Sequence, residues 1–221
     1  MLPINIEYFT DVFCIWAYVD EARVFEVKQE YGDRVAIHRH FLSVFGNVED
    51  KIKNSFEGSP QKFNAHVREV AADFEHMSVH KDFFLKNMPS SSPNCHPFIK
   101  ALQILIERGE VENIVPSFCS EIRKAYFGEL RDISNLGVLF EHTKAHGIKE
   151  KSIQALLNSG EAMAQIVLDR KLSEKYKLKG SPSYVLNGGR QTLFGNVGYR
   201  LIRANIEELL NEKPKEYASW C

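Results

Sequence analysis

The stretch Phe9–Tyr18, FTDVFCIWAY, decides how the rest of the chain is read. It stands between two patterns of different period. Upstream, INIEYF (4–9) alternates Ile4, Ile6 and Tyr8 with Asn5 and Glu7, the two-residue period of a half-buried strand. Downstream, Trp16, Val19, Ala22/Arg23, Val27 and Tyr31 recur at helical spacing until Gly32 ends the run. VAIHRHFL (35–42) alternates again. The opening is therefore strand, helix, strand, with a right-handed crossover if the two strands are parallel. Cys14 falls at the strand-to-helix turn. Three residues on stands Ala17, where a dithiol motif would carry a second Cys.

From about 45 to 160 the pattern is helical almost throughout. Phe63, Val67, Val70 and Phe74 share one face; so do Phe98, Leu102, Leu105 and Ile106, then Ile114, Val115, Phe118 and Ile122, then Leu136, Leu139, Phe140 and Thr143. The breakers are EGSP (57–60), NMPSSSPN (87–94), Gly128, Gly147 and Gly160. A helix over about 161–177 then runs into LKGSPSYVLNGGRQTLFG. Pro182 precedes a short strand SYVLN. Gly188-Gly189 suit the positive φ angles of a tight hairpin turn, and RQTLF returns as its partner. A last helix, about 198–211, buries Leu201, Ile202, Ile206, Leu209 and Leu210. This order predicts an α/β thioredoxin fold with a large all-helical insertion between its βαβ and ββα halves. The expected divisions are 1–44, 45–160 and 161–221.

The chain has 221 residues, a net charge of −1, 44% apolar and 26% charged residues, an ordinary globular composition. A near-neutral balance gives no electrostatic case for nucleic acid or an anionic membrane as partner. No run approaches the roughly 18 apolar residues of a membrane span. The start, MLPINIEYF, lacks a basic segment followed by an apolar one, so no secretion signal is read and a cytoplasmic location is expected.

Four features give Cys14 its chemistry. A helix N-terminus carries partial positive charge and unpaired N–H groups, which favour a thiolate. The thiolate is the nucleophile of disulfide exchange. Ile15 and Trp16 supply apolar surface beside the sulfur. Gly180-Ser181-Pro182 opens a distant strand, and in a thioredoxin layout that loop lies against the Cys helix. A Pro there is often cis, and the Ser181 backbone is then free to pair with a thiol-bearing ligand. Against this stands the ordinary fate of a free Cys, which is to be buried and inert. That fate is expected for Cys119 and Cys95, while Cys221 ends the chain. Cys95 could serve as a resolving thiol only if the fold brings its Cα within about 7 Å of that of Cys14. Insertion-helix aromatics could line an apolar groove over the sulfur.

The eight His residues raise a metal reading. His38 and His40 share a strand face, His76 and His80 lie at helical i, i+4 spacing, and Cys95-His96 adds two more donors. No spacing here names a zinc site, and no metal is expected.

DVFCIWAY, KGSPSYVLNG and the closing LFGNVGYRLIRANIEELL together resemble the DsbA-like thioredoxin superfamily. The branch that looks nearest is that of FrnE-type oxidoreductases, related to 2-hydroxychromene-2-carboxylate isomerases and kappa-class glutathione transferases. The resemblance covers nearly the whole chain. It implies a thioredoxin fold, thiol–disulfide chemistry and a cis proline at Pro182. Cys14 matches the attacking Cys, Ile15 takes the usual Pro position and Trp16 matches a common Trp. Asp11 resembles an acidic residue that modulates the motif, with helix N-capping as its plain structural role. Ala17 departs from the pattern. A mixed disulfide at Cys14 would then wait for an outside thiol, so glutathione is implied as co-substrate, with no tightly bound cofactor. The expected partner is a protein or small-molecule thiol or disulfide, and a homodimer is compatible with the reading. The isomerases and transferases generally carry Ser at the position of Cys14, and they use glutathione without redox cycling. That alternative stays open here, as does a non-catalytic remnant.

Overall fold

The computed structural model describes residues 3–86 and 88–211. Its centre is a four-stranded sheet in the order β2-β1-β3-β4. β1 (Ile4–Thr10) runs parallel to β2 (Val35–Phe41), in register from Ile4 opposite Val35 to Thr10 opposite Phe41. On its other side it pairs antiparallel with β3 (Ser183–Leu186), from Ile6 opposite Leu186 to Phe9 opposite Ser183. β4 (Gln191–Phe194) returns antiparallel to β3. Every residue of β3 is buried, as suits a short inner strand covered on both faces.

One core layer joins the sheet to two helices. Ile4, Ile6 and Tyr8 meet Val24, Val27 and Tyr31 of α1 (Ile15–Tyr31) and Ile202, Ile206 and Leu209 of α9 (Tyr199–Leu210). The second core begins at Val12 and Phe13, just past β1. It continues through α2 (Val48–Phe56), α3 (Pro60–Ala72), α4 (Cys95–Glu107), α5 (Val115–Glu129), α6 (Leu136–Ala145) and α7 (Glu150–Ser159), to Ala162 of α8 (Glu161–Lys175). Twelve of the chain's fifteen Phe residues lie in it or pack against it. Phe63 alone meets Phe45, Phe56, Phe83 and Phe84. The turn that carries Cys14 thus belongs to the larger core.

Polar clamps fix the two layers. Asp169 of α8 accepts the Phe41 N–H at 2.8 Å, His40 Nδ1 lies at 2.7 Å and Lys100 Nζ at 2.9 Å. His40 Nε2 lies 2.6 Å from Glu7. This is where β2 is joined to α4 and α8. His38, on the same strand, is exposed.

Three local expectations are corrected. Gly128 lies inside α5 and ends nothing; a Cβ there would approach the Ser78 carbonyl to 3.1 Å, so the residue permits a close chain crossing. α3 stops at Ala72, so Phe74 is outside it and His76 and His80 share no helix face. The β3–β4 connection spans Asn187–Arg190, with Asn187, Gly188 and Gly189 all at positive φ, rather than a two-residue turn at the glycines.

Asp20 of α1 is fully buried against the sheet, accepting from the Tyr184 hydroxyl at 2.5 Å and facing Arg23 at 3.4 Å. Burial pushes its carboxyl up to about 6, with the Tyr184 and Arg23 contacts opposing. An acid with a raised folded-state pKa binds more protons folded than unfolded, so its stability contribution falls as pH rises from about 4 to 6. Asp20→Asn is expected to be more stable than wild type above pH 6, by up to about 3 kcal/mol, and to converge with it near pH 4. Urea unfolding of both proteins across that range tests this; a difference independent of pH would contradict it.

Candidate active site

The chain leaves β1 at Thr10 and enters α1 at Ile15, so Asp11–Cys14 form a tight turn. The Cys14 N–H donates to the Asp11 carbonyl at 3.1 Å, and the Tyr18 N–H to the Cys14 carbonyl at 3.1 Å, starting the helix. Cys14 is the N-cap residue, extended at φ −80° and ψ 119°. Its thiol donates to the Ser181 carbonyl at 3.3 Å across 167 residues of sequence. The Ser181 hydroxyl oxygen accepts the Asp11 N–H at 2.8 Å. The Ser181–Pro182 peptide is cis, and the Pro182 carbonyl accepts the Gly195 N–H at 2.9 Å. Cys14, Ser181, Pro182 and Asp11 therefore form one constellation. The Ser181 carbonyl, part of the backbone expected to pair with a thiol-bearing ligand, accepts the Cys14 thiol here.

Trp16 is half-buried, with its ring edge-on to His66 at 6.4 Å. Ile15, expected to offer surface beside the sulfur, is only 4% exposed and is part of the second core. Its apolar side chain packs into that core, leaving Trp16 as the accessible apolar neighbour. A cavity of about 1740 Å³ lies elsewhere, between α1, β2, α4, α5 and α8, and Cys14, Trp16 and Ser181 do not line it.

The electrostatics differ from the sequence reading as well. Burial pushes the Cys14 thiol up; the Ala17 amide, the Ser181 contact and the Trp16 amide oppose this, and the Asp11 charge adds to it. The helix N-terminus favours the thiolate, but Cys14 is only 7% exposed and its thiol loses most of its water. Desolvation outweighs the helix end.

Asp11 does not cap α1. Its Oδ1 accepts the Phe13 N–H at 2.9 Å, closing a local turn. Its Oδ2 accepts the Phe45 N–H at 2.8 Å and the Ser92 hydroxyl at 3.2 Å. One fully buried carboxylate therefore binds the cysteine turn to two segments of the helical layer. His96 of α4, also fully buried, brings Nε2 to 3.4 Å from Asp11 Oδ1 and 3.5 Å from the Val12 nitrogen. Arg123 of α5 donates to Thr10 Oγ1 at 2.7 Å and to the Asp11 carbonyl at 3.3 Å, and it pairs with Glu21. Ser92, His96 and Arg123 had no place in the sequence-based site. They lie 81 or more residues from the turn, and no spacing rule links them to it.

The other thiols point elsewhere. Cys95 is fully buried and donates to the Ile133 carbonyl at 2.8 Å; burial, Asp11 and Asp132 push its thiol well up. Cys119 is buried in the second core, as expected. Cys221 lies outside the described residues. Among the described residues, no group of three His, Cys, Asp or Glu side chains is placed to hold a metal ion.

With the turn, the cis-proline loop and the inserted helices placed, comparison with known proteins is informative. The family model for the DSBA-like thioredoxin domain matches residues 5–207. The chain belongs to this family. No curated protein matches it. Among solved structures, a chain provisionally described as a protein disulfide isomerase, from Nitrosomonas europaea, has a TM-score of 0.75 at 16% identity, covering 94% of this chain and 98% of that one. The cytosolic disulfide reductase DsbM from Pseudomonas aeruginosa has a TM-score of 0.69 at 20% identity, covering 93% and 98%, and a second structure of it contains GSH. A 2-hydroxychromene-2-carboxylate isomerase has a TM-score of 0.62 at 12% identity, covering 98% and 99%. Likeness at these identities establishes a shared fold. No helix among the described residues of this DSBA-like domain is long and apolar enough to cross a membrane.

Two measurements probe the site of this DSBA-like protein. The rate of Cys14 alkylation should follow a titration above the free-thiol range of about 8.5, since burial holds the proton on sulfur. An apparent pKa below 8 would contradict the account. Ser181→Ala should orphan the buried Asp11 N–H and cost about 1–3 kcal/mol, read as a lower urea midpoint at unchanged slope.

Proposed function

We propose that this protein is a cytoplasmic thiol–disulfide oxidoreductase that works with Cys14 alone and uses glutathione as its second thiol. The observation that carries the reading is the pairing of Ala17, fully buried in the resolving position, with a Cys95 thiol committed to the Ile133 carbonyl. The family supports thiol chemistry, and the GSH present in a DsbM structure of the same fold supports the co-substrate.

The cycle balances without a second protein thiol. Cys14 gives its proton to water, and its sulfur attacks the glutathione sulfur of a mixed disulfide R–S–S–G. The Cys14–S–S–G bond forms, and R–S⁻ leaves and takes up a proton. A glutathione thiolate then attacks the glutathione sulfur of Cys14–S–S–G, releasing the Cys14 thiolate and glutathione disulfide. R–S–S–G is reduced to R–SH while the two glutathione sulfurs are joined as the disulfide. The Ser181 carbonyl, now holding the thiol, becomes free when Cys14 ionises and can accept an N–H from the bound thiol compound.

One observation favours a second reading within the same fold. A thiol held protonated by burial can donate an S–H hydrogen bond, and so could position an external glutathione thiolate in an isomerase or transferase. A single experiment separates the two. Wild type and Cys14→Ser are assayed with a glutathionylated peptide and glutathione, and with 2-hydroxychromene-2-carboxylate and glutathione. The proposal expects peptide reduction that rises from pH 7 to 9, as more Cys14 ionises, and falls to the uncatalysed background in Cys14→Ser. Isomerisation without glutathione disulfide would establish the second reading. Inactivity in both assays would leave Cys14 a non-catalytic remnant.

A further inference from the structure

His96 is a buried side chain beside the Cys14 turn whose hydrogen bonding does not close, and it is the one among these that reaches the Asp11 carboxylate. Its Nδ1 has no partner among the described residues, and its ring is fully buried. Stacking on Phe41, with ring centroids 5.1 Å apart, fixes the ring plane. Nε2 has two claimants. The Val12 N–H needs an acceptor there at 3.5 Å, and the Asp11 carboxylate needs a donor there at 3.4 Å. Both distances are long, as fits one nitrogen shared between opposed demands. A neutral imidazole can serve only one. With the proton on Nδ1, Nε2 accepts from Val12 and Asp11 goes without that donor. With the proton on Nε2, Asp11 gains a donor and the Val12 N–H loses its acceptor. Neither tautomer satisfies every group: the first buries an Nδ1–H without an acceptor and the second leaves the Val12 N–H without one, each at a cost of about 1–3 kcal/mol.

The claimed carboxylate is the one that acts on the reactive sulfur. The Asp11 charge works against the Cys14 thiolate. We propose that His96 is a positioning residue for the Cys14 thiolate, moving its ring proton to the Asp11 side when the sulfur ionises and so dispersing the carboxylate charge that opposes ionisation. The ring does not touch substrate; it acts through Asp11. This rests on Cys14 being the reactive sulfur, and it holds for either reading of the reaction.

Other charged or titratable groups face the pair, and two of their atoms, the Tyr126 hydroxyl and Arg123 Nε, also have no hydrogen-bond partner among the described residues. From α5, Arg123 donates to the Asp11 carbonyl, and the buried Tyr126 hydroxyl is pushed well up by burial and by Asp11. From α4, Cys95 is held by the Ile133 carbonyl. Between α5 and α6, Asp132 accepts from the Ser134 N–H and hydroxyl. From the connections after β2 and before α4, among the described residues, come the Phe45 N–H and the Ser92 hydroxyl, and from β2 the Phe41 ring. Of these, only His96 can move a proton between two ring nitrogens and so change what it presents to Asp11 without rotating.

The test reads Cys14 directly and needs no turnover, so it stands apart from the outcome of the glutathione assays. The iodoacetamide rate at Cys14 is measured against pH in wild type, His96→Phe, His96→Gln, Asp11→Asn and Asp11→Asn/His96→Phe. His96→Phe keeps the stacking and loses the donor; the Cys14 titration should move up by about half a unit, a roughly threefold lower rate at pH 7. His96→Gln restores an amide donor and should return toward wild type. In Asp11→Asn, adding His96→Phe should change nothing, because the charge that His96 disperses is gone. Equal shifts from His96→Phe in both backgrounds, or no shift in either, overturn the proposal. Should the variants fail to fold, the wild type still decides. Ring ¹⁵N shifts of His96 followed through the Cys14 titration must show the proton leaving Nδ1 for Nε2, a change absent in Cys14→Ser. Ring shifts that stay constant through that titration overturn the proposal equally.

Discussion

The Asp11 carboxylate is the constraint on which the rest of this site depends. A buried charge survives only where hydrogen bonds replace its lost water. Asp11 obtains them from the Phe13 N–H, the Phe45 N–H and the Ser92 hydroxyl, which belong to three separate stretches of chain. Its own N–H is taken by Ser181, and its carbonyl accepts from Cys14 and Arg123. The cysteine turn, the cis-proline loop and the helical layer are thereby held as one body. The inserted segment contributes to the candidate site as well as enclosing it, since its helices supply His96 and Arg123 and the connection before α4 supplies Ser92.

That arrangement has an electrostatic consequence. The groups that fix the turn also remove water from the sulfur and place a carboxylate near it. Both effects hold the proton on Cys14, against the pull of the helix N-terminus. A thiol in this condition attacks more slowly at neutral pH than an activated one, yet its thiolate is the stronger nucleophile once formed. Ala17 extends the same logic. A second sulfur in the first turn could resolve an intermediate inside the protein; the Ala17 methyl group offers no such thiol, which is why the proposed cycle takes one from solution.

Much of the fold was legible because it rests on local periodicity. The alternation of Ile4, Ile6 and Tyr8, the helical recurrence from Trp16 to Tyr31, and the closing strand–strand–helix each report which face is buried. Errors came where local signals have two meanings. Gly128 reads as a breaker, but it is a close-approach glycine whose neighbour, Ser78, lies far away in sequence. The double glycine reads as a two-residue turn, yet Asn187 also takes positive φ and the loop is longer. HMSVH has helical spacing in a stretch that no helix covers.

The sequence by itself determined the order of elements, the position of Cys14 at a strand-to-helix turn, and the absence of a second Cys at Ala17. These depend on residue type and short-range period, which the chain carries openly. Only the tertiary structure decided how far the sulfur is desolvated, what Asp11 does, that His96 lies against Asp11, and that Ile15 turns into the core. The reason is physical. Desolvation and buried hydrogen bonds are sums over neighbours from every direction, and those neighbours come from α4, α5 and the Ser181 loop, whose nearness to Cys14 exists only after folding.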